Sequence, residues 1–222
     1  MSIFSKCRLL LVLTIGAIFL TGCMNQPTPE EKIYEVLENV VAEEKTFEEQ
    51  QDPLVNLEKK EKELYDKIIA LGMKEFDEIT KLSDEASSIV DQRKDHMEKE
   101  QESIQASKEE FETLLPIIKE IEDKKLQEKS KELYGIMMDR YEIHDVLYKD
   151  YTEALEYDKE LYAMFKKEDL SLKQLEEQIS KINGMYENIL DSNKQFNEKT
   201  KEYNEAKLAF YKEAGLEIKT EE

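Results

Sequence analysis

Among the chemically reactive side chains, the thiol of Cys23 has the most distinctive surroundings. It follows a mostly apolar stretch at residues 9–20, and the small residues Thr21 and Gly22 stand directly before it. A cysteine in this position can end a membrane helix, form half of a disulfide, or carry an attached lipid. The only other cysteine is Cys7, so the chain beyond residue 23 can form neither a disulfide framework nor a thiolate metal site.

The remaining reactive residues form no catalytic or metal-binding pattern. His96 and His144 are the only histidines and lie far apart in the sequence, so we expect no zinc site. The chain contains no glycine-rich phosphate loop, nucleophile elbow or calcium loop. Acid pairs such as Glu48-Glu49 are numerous, but a solvated helix face supplies them without function. We therefore expect a protein that is not an enzyme and that binds no metal or cofactor.

The composition favours an all-α fold and argues against nucleic acid as a partner. Only 6 Gly and 4 Pro occur in 222 residues, and 38% of the residues are charged. Few helix breakers and many good helix formers are typical of long helices. The formal net charge of −20 lacks the basic surface that nucleic acid requires.

The first 22 residues have the features of a secretory leader. Lys6 and Arg8 form a basic segment, and the apolar residues 9–20 that follow are too few for a membrane span of about 20 residues. The run Leu20-Thr21-Gly22-Cys23 resembles the lipobox of bacterial lipoproteins. This resemblance implies cleavage before Cys23 and a diacylglycerol on its thiol, whose two acyl chains give firm attachment. An uncleaved membrane helix and an ordinary signal peptide with a chance cysteine are the alternatives.

This interpretation divides the chain into four parts. They are a lipoprotein signal peptide at 1–22, a lipidated N-terminus and short tether at 23–29, a helical ectodomain at 30–215 and a C-terminal tail at 216–222. Cleavage removes two positive charges and no acid, so the formal side-chain charge changes from −20 to −22. We expect the ectodomain on the outer face of the cytoplasmic membrane, anchored through acylated Cys23 and facing the cell wall.

Local signals predict where several helices begin and end. Residues 28–31, Thr-Pro-Glu-Glu, combine a capping box with proline at the first helical position. Asp52-Pro53 predicts a second helix start, and Gly72 a C-terminal cap. Pro116 predicts a kink or an end. Residues 91–110 contain few apolar side chains, which predicts an exposed or loosely packed segment.

Two heptad rows in the C-terminal part of the chain predict a helical hairpin that turns at Glu168-Asp169. The first row is Leu126, Ser130, Leu133, Met137, Arg140, His144, Leu147, Tyr151, Ala154, Asp158, Leu161 and Phe165, and the second is Leu172, Leu175, Ile179, Ile182, Tyr186, Ile189, Asn193, Phe196, Thr200, Tyr203, Lys207 and Phe210. The predicted fold is an elongated, mostly antiparallel helical bundle of one domain with a long coiled-coil-like C-terminal hairpin. A parallel coiled-coil dimer is the main alternative, and the sequence does not predict the oligomeric state.

Pairing the two rows predicts a polar layer within the hairpin. It places Asn193 opposite His144, and Phe196 beside Arg140. We expect Arg140 to form an internal salt bridge with an acid of a neighbouring helix, and His144 to be a satisfied core residue. The aromatic residues of the second row are assigned to the core, although exposed tyrosines could instead stack on sugars.

Nearly all of residues 20–215 resemble the cell-wall-binding lipoprotein family of Gram-positive bacteria, the YkyA-like group. The resemblance is carried by the lipobox, "QQDPLVNLEKKEKELY" at 50–65, "LGMKEFDEI" at 71–79, "DRY" at 139–141 and "FNEKTKEYNEAKLAFY" at 196–211. It implies a lipid-anchored, all-helical ectodomain, and only Cys23 carries over as a functional residue.

Three functional hypotheses follow. The first is a non-enzymatic surface protein that binds cell-wall polymers or acts as a scaffold or spacer. The second is a helical accessory subunit that binds a membrane or envelope protein, with residues 91–110 as the candidate surface. The third is a wall-active hydrolase, which requires two functional acids in a cleft.

Overall fold

The structure, a computed structural model, describes residues 26–71 and 75–216, and within these ranges it contains helices and no strands. The helices are α1 (Pro29–Glu43), α2 (Lys45–Ala70), α3 (Phe76–Glu112), α4 (Leu114–Ile118), α5 (Lys124–Phe165) and α6 (Leu172–Glu213). The predicted all-α class is confirmed. The predicted signal peptide, the predicted lipobox with Cys23, and the predicted cap at Gly72 lie outside the described residues, as do residues 217–222 of the predicted tail. In the described ranges no helix has both the length and the apolar character needed to cross a bilayer.

The start of α1 matches the predicted capping box. The backbone N–H of Glu31 donates to the Thr28 hydroxyl at 3.2 Å, and the backbone N–H of Thr28 donates to the Glu31 carboxylate at 2.8 Å. Pro29 occupies the first helical position, where its missing N–H has no intrahelical partner to lose. Ordered helix therefore begins immediately after Thr28.

The predicted helix start at Asp52-Pro53 is wrong. Helix α2 begins at Lys45, with only Glu44 between it and the end of α1, and it carries Pro53 in its interior. An interior proline removes a backbone hydrogen bond and costs about 3 kcal/mol. Burial of one continuous face, from Phe47 before the proline to Leu54 and Leu57 after it, offsets that cost. Near Pro116 the prediction of a break is confirmed, since α3 ends at Glu112 and the short α4 follows.

The contacts between Cα atoms divide the described residues into two compact units, whereas the sequence predicted one domain. Unit 1 comprises Thr46–Gln101 and Asp145–Asn193, and unit 2 comprises residues 26–45, Glu102–His144 and 194–216. Helices α3, α5 and α6 each contribute a segment to both units. The two units are described separately below.

The predicted row on α5 is confirmed, because all twelve of its residues are buried. On α6 the row is buried at Ile182, Ile189, Phe196, Tyr203, Lys207 and Phe210. Leu172 is an exception: it was predicted to pack at the closed end of the hairpin, but it is 78% exposed. It is the first residue of α6, directly after the connecting turn, where the helix has not yet reached the core.

Helices α5 and α6 run antiparallel in each unit, as the hairpin prediction requires. In unit 1, Gln178 donates to the backbone carbonyl of Tyr157 at 2.9 Å. In unit 2, Lys125 pairs with Glu213 at 2.8 Å near the start of α5 and the end of α6. Early residues of α5 thus meet late residues of α6, and late residues of α5 meet early ones. Unit 2 also contains α1, which packs against α4.

Candidate functional site

Residues 91–110 are not the exposed or loosely packed segment that the sequence predicted. A heptad row on α3 continues through them, and every member is buried: Arg93, Met97, Glu100, Ile104, Ser107 and Phe111. Half of these residues are polar, so a search for apolar periodicity missed the row. One face of the segment is therefore part of the core, and the loose packing that pointed to a partner-binding surface here is absent.

Arg93 lies in the core of unit 1 and is 2% exposed. Its Nη1 donates to Glu61 Oε2 at 2.6 Å and to Asp158 Oδ2 at 3.3 Å. Its Nε and Nη2 both donate to the Tyr151 hydroxyl, at 3.0 and 2.8 Å, and Nη2 also donates to the Tyr186 hydroxyl at 2.9 Å. The guanidinium thus uses all three of its nitrogens within the helical bundle of unit 1.

Carboxylates outnumber cations around Arg93. Glu58 is the third acid, with Oε1 lying 3.7 Å from Nη2 of Arg93 and accepting a hydrogen bond from Tyr151 at 2.7 Å. The other oxygen of Glu58, Oε2, is buried without a hydrogen-bond partner. The side chains of Glu58, Glu61 and Asp158 are 11%, 8% and 7% exposed. One positive charge therefore faces three formally negative groups in a nearly dry environment.

Burial, reinforced by the excess of acid, raises the pKa of Asp158, Glu58 and Glu100. Burial, reinforced by the charge of Glu61, raises the pKa of Asp158 to about 7, although Arg93 and the Tyr186 hydroxyl oppose the shift. Burial also raises the pKa of Glu58, against the opposing effect of Arg93. Glu100 has a pKa well above its usual range, first because of burial and second because of the Glu58 charge. Around neutral pH, Asp158 is therefore poised between its charged and neutral forms.

The Arg93 cluster borders a cleft in unit 1 of about 690 Å³, lined by α2, α3, α5 and α6. Its apolar and aromatic lining consists of Val55, Tyr65, Leu161, Tyr162, Ile179, Ile182 and Tyr186. The buried charged lining is Arg93 with Glu58, Glu61 and Asp158, and the exposed charged lining is Lys59, Lys62, Glu63 and Asp66. Ligand sites in proteins typically have this size and this mixture of apolar walls with a few convergent polar groups.

Unit 2 contains a second buried arginine, and this one was predicted. Arg140 donates to both oxygens of Glu44, at 2.7 and 2.8 Å, and its Nε donates to the Thr200 hydroxyl at 2.9 Å. Its guanidinium carbon lies 4.3 Å from the centroid of the Phe196 ring, which confirms the expected neighbourhood of these two residues. The acid is Glu44, which lies at the junction between α1 and α2 and not within a helix, and the ion pair is buried in the core.

The other two members of the predicted polar layer have different environments. His144 is 1% exposed, and its ring lies 5.5 Å from the ring of Phe196 in unit 2. Asn193 is only half-buried and belongs to unit 1. The polar groups that meet Arg140 are thus Glu44 and Thr200, and the sequence did not single out either for this role.

All eleven tyrosines lie in the described residues, and each is buried or half-buried. Within residues 26–71 and 75–216, no group of three or more His, Cys, Asp or Glu side chains is arranged to hold a metal ion. The cleft of unit 1 is the candidate functional site.

The helices and the two buried arginine clusters define an all-α bundle protein. The chain belongs to the YkyA family, described as "Putative cell-wall binding lipoprotein", whose model matches residues 28–213. It is 38% identical over 203 residues to the "Uncharacterized lipoprotein YkyA" of Bacillus subtilis (strain 168), a match that covers 91% of each chain. A conserved protein of unknown function from Staphylococcus aureus, solved by crystallography, shares the fold with a TM-score of 0.72 at 16% identity, over 84% of this chain and 97% of that one.

Proposed function

We propose that the protein is a non-enzymatic, lipid-anchored surface protein whose ectodomain binds a component of the cell wall. The lipobox at residues 20–23 and membership of a lipoprotein family support the anchor. The observation that carries the binding role is the cleft of unit 1, with its apolar walls and its buried polar cluster. On this proposal Cys23 holds the chain at the outer face of the membrane, and the cleft meets the wall.

The state of the acids in the cleft favours binding over catalysis. Both oxygens of Glu61 already accept hydrogen bonds, one from Arg93 and one from Tyr162. Asp158 Oδ2 accepts from Arg93 and, at 2.6 Å, from Tyr186. A general acid or base must come within hydrogen-bond reach of the reacting atom. Carboxylates that are held in this way by internal donors instead give the cleft a negative electrostatic potential.

A hydrolase remains the second candidate, and one specific observation favours it. The pKa of Asp158, about 7, is the value that a general acid needs near neutral pH. This candidate predicts that soluble glycan fragments are released from purified walls and that Asp158→Asn abolishes the release. We favour the binding role because both Asp158 and Glu61 are engaged with Arg93.

Co-sedimentation with purified cell wall tests the proposal and its rival together. The mature chain carrying Cys23→Ser is mixed with walls across a range of salt and magnesium concentrations, and the supernatant is assayed for released fragments. We expect saturable binding that survives high salt, with no release of fragments. Failure to sediment with walls under every condition contradicts the proposal, and turnover of the wall supports the hydrolase.

Two matched variants locate the binding surface. Val55 lines the cleft and is 39% exposed, whereas Val146 is 52% exposed and is not part of the lining. Both valines lie on helices of unit 1, so Val55→Lys and Val146→Lys make the same chemical change at comparable positions. We expect Val55→Lys, which adds bulk and a positive charge to the cleft, to weaken wall binding at least tenfold and Val146→Lys to leave it unchanged.

A further inference from the structure

We propose that the cleft of unit 1 binds a primary ammonium group carried on a flexible aliphatic chain, such as the side-chain amine of a lysine-type residue. This inference rests on the proposed wall-binding function and names the chemistry that the cleft recognises. Three independent features of the cleft point to it: the balance of charge, the hydrogen-bonding capacity that is still free, and the character of the walls.

The charge balance requires a cation. Glu58, Glu61 and Asp158 line the cleft together, and Arg93 is the only cation in contact with them among the lining residues described. The two lysines of the lining do not neutralise the cluster, since both are exposed and Lys62 pairs with Asp66 instead. A bound cation would therefore add attraction to three buried carboxyl groups that now share one guanidinium.

The hydrogen-bonding groups of the cleft that are still free also favour a ligand that donates hydrogen bonds over one that accepts them. All three nitrogens of Arg93 already donate to groups of unit 1, so the guanidinium is poorly placed to hold an anion. Glu58 Oε2, in contrast, is a buried acceptor that lacks a donor. A primary ammonium carries three N–H donors and no acceptor, which suits an acceptor-rich cluster of this kind.

The walls of the cleft suit the aliphatic carrier of such an amine. Leu161, Ile179 and Ile182 provide aliphatic surface, and Tyr65, Tyr162 and Tyr186 provide aromatic rings. Aliphatic side chains pack along the stem of an alkylamine, while ring faces attract its charged head. The formal side-chain charge of −22 expected after cleavage before Cys23 also favours a cationic ligand over an anionic one.

The acids that would hold the amine also make its binding depend on pH. Glu58 and Glu61 approach from α2, Arg93 from α3, Tyr162 and Asp158 from α5, and Tyr186 from α6. Protonation of Asp158, whose pKa lies at about 7, removes one of the three negative charges while an alkylamine remains charged. Affinity for the amine is therefore expected to fall between pH 8 and pH 5.

Titration with a matched pair of small probes tests the inference directly. The mature chain carrying Cys23→Ser is titrated at pH 8 with Nα-acetyl-lysine methylamide and with the same compound acetylated on its side-chain amine. We expect saturable binding of the charged probe and at least tenfold weaker binding of the neutral one. Equal affinity for the two probes, or binding of neither, overturns the inference.

Two isosteric substitutions connect the binding to the cluster. Asp158→Asn and Glu58→Gln keep the shapes of the side chains and remove one negative charge each, so each should weaken binding of the charged probe about tenfold. Asp150→Asn is the control, because Asp150 lies on α5 outside the cleft lining. Unchanged affinity in both cleft variants places the amine elsewhere and overturns the inference.

Chemically modified walls separate this inference from the proposed function. Walls with free amines blocked by acetylation are compared with native walls in the sedimentation assay, and we expect at least a tenfold loss of binding. Undiminished binding to blocked walls overturns the amine inference and leaves the wall-binding function standing. Binding of the charged probe without binding to native walls supports the amine site and contradicts the wall-binding function.

Discussion

Glu44 and Arg140 form a bidentate ion pair in the core of unit 2, with nitrogen-to-oxygen distances of 2.7 and 2.8 Å. Glu44 is the one residue between α1 and α2, and Arg140 lies in the middle of α5. Both residues are nearly inaccessible to solvent, at 7% and 3% exposure. The pair thus connects the junction of two helices to the core of unit 2.

Replacing Glu44 with alanine should strongly destabilise the protein. The change leaves the Arg140 guanidinium buried without its counter-charge, which typically costs about 3–5 kcal/mol. The free energy of unfolding in urea measures the effect. Glu120→Ala is the control in the same unit: it breaks only the exposed Lys32–Glu120 pair and should cost less than about 1 kcal/mol. Equal losses in the two variants would refute the role assigned to the buried pair.

Acidification from pH 8 to pH 5 should stabilise the wild-type chain relative to Asp158→Asn. The pKa of Asp158 is about 7 in the folded chain and about 3.9 in an unfolded chain. Between these values the folded state binds a proton that the unfolded state does not, so stability rises as the pH falls. Burial first and the Glu61 charge second raise this pKa, while Arg93 on α3 and the Tyr186 hydroxyl on α6 lower it.

The free energy of unfolding of both chains is measured at pH 8, 7, 6 and 5. The value for the wild type minus the value for Asp158→Asn should become more positive by a few kcal/mol from pH 8 to pH 5. Asp66→Asn is the control, since it makes the same chemical change at an exposed carboxylate of the same unit. A constant difference between wild type and Asp158→Asn would show that Asp158 is ionised throughout this range.

Replacing Arg93 with methionine should destabilise unit 1 in a pH-dependent manner. At pH 8 the change leaves Glu58, Glu61 and Asp158 buried without a cation, and about 3–5 kcal/mol should be lost. At pH 5 protonation of Asp158 relieves part of the repulsion, so part of the stability should return. Adding Glu61→Gln to Arg93→Met should recover stability at pH 8, because it removes one of the unpaired charges. If the change in unfolding free energy of the double variant equals the sum of the two single changes, the two residues are not coupled.

Replacing His144 with leucine should be tolerated. His144 packs in the core against Phe196, and leucine has a comparable volume, so we expect a loss below about 1.5 kcal/mol. Phe196→Ala, which removes a buried ring from the same contact, should cost about 3–5 kcal/mol. Thermal unfolding of the two variants gives the comparison, and collapse of the His144→Leu fold would show that the imidazole has a polar role that leucine cannot replace.

Replacing Cys23 with alanine should abolish acylation. Without the thiol there is no site for thioether attachment, so metabolic labelling with a radioactive fatty acid should disappear and the uncleaved precursor should accumulate in the membrane. Cys7→Ala is the control and should retain full labelling. Undiminished labelling of Cys23→Ala would contradict the lipid anchor.

The C-terminal hairpin could be predicted because its signal is purely local. Each residue of the α5 row follows the previous one by three or four positions, so one helix face collects them all whatever their polarity. Arg140, His144 and Asp158 were assigned to the core on this spacing alone, and all three are buried. The same reasoning, applied to the α3 row from Arg93 to Phe111, would have found Arg93 and Glu100.

The cleft and its charge balance could not be predicted in this way. They depend on which side chains of four different helices meet, and Glu58 and Asp158 lie 100 residues apart in the sequence. Pro53 illustrates a second limit: its local signal favours a helix start, but burial of the continuous face of α2 outweighs it. Local preferences are overridden wherever long-range packing is stronger.

The capping box at Thr28 also limits how far the first helix can lie from Cys23. Helix begins at Pro29, six residues after Cys23, and a fully extended segment of that length spans at most about 20 Å. With a lipid on Cys23, the first helix stays within a thin layer above the headgroups and travels only by lateral diffusion in the membrane plane. Encounters with an immobile polymer are then a two-dimensional search, whose rate depends on the density of protein per membrane area.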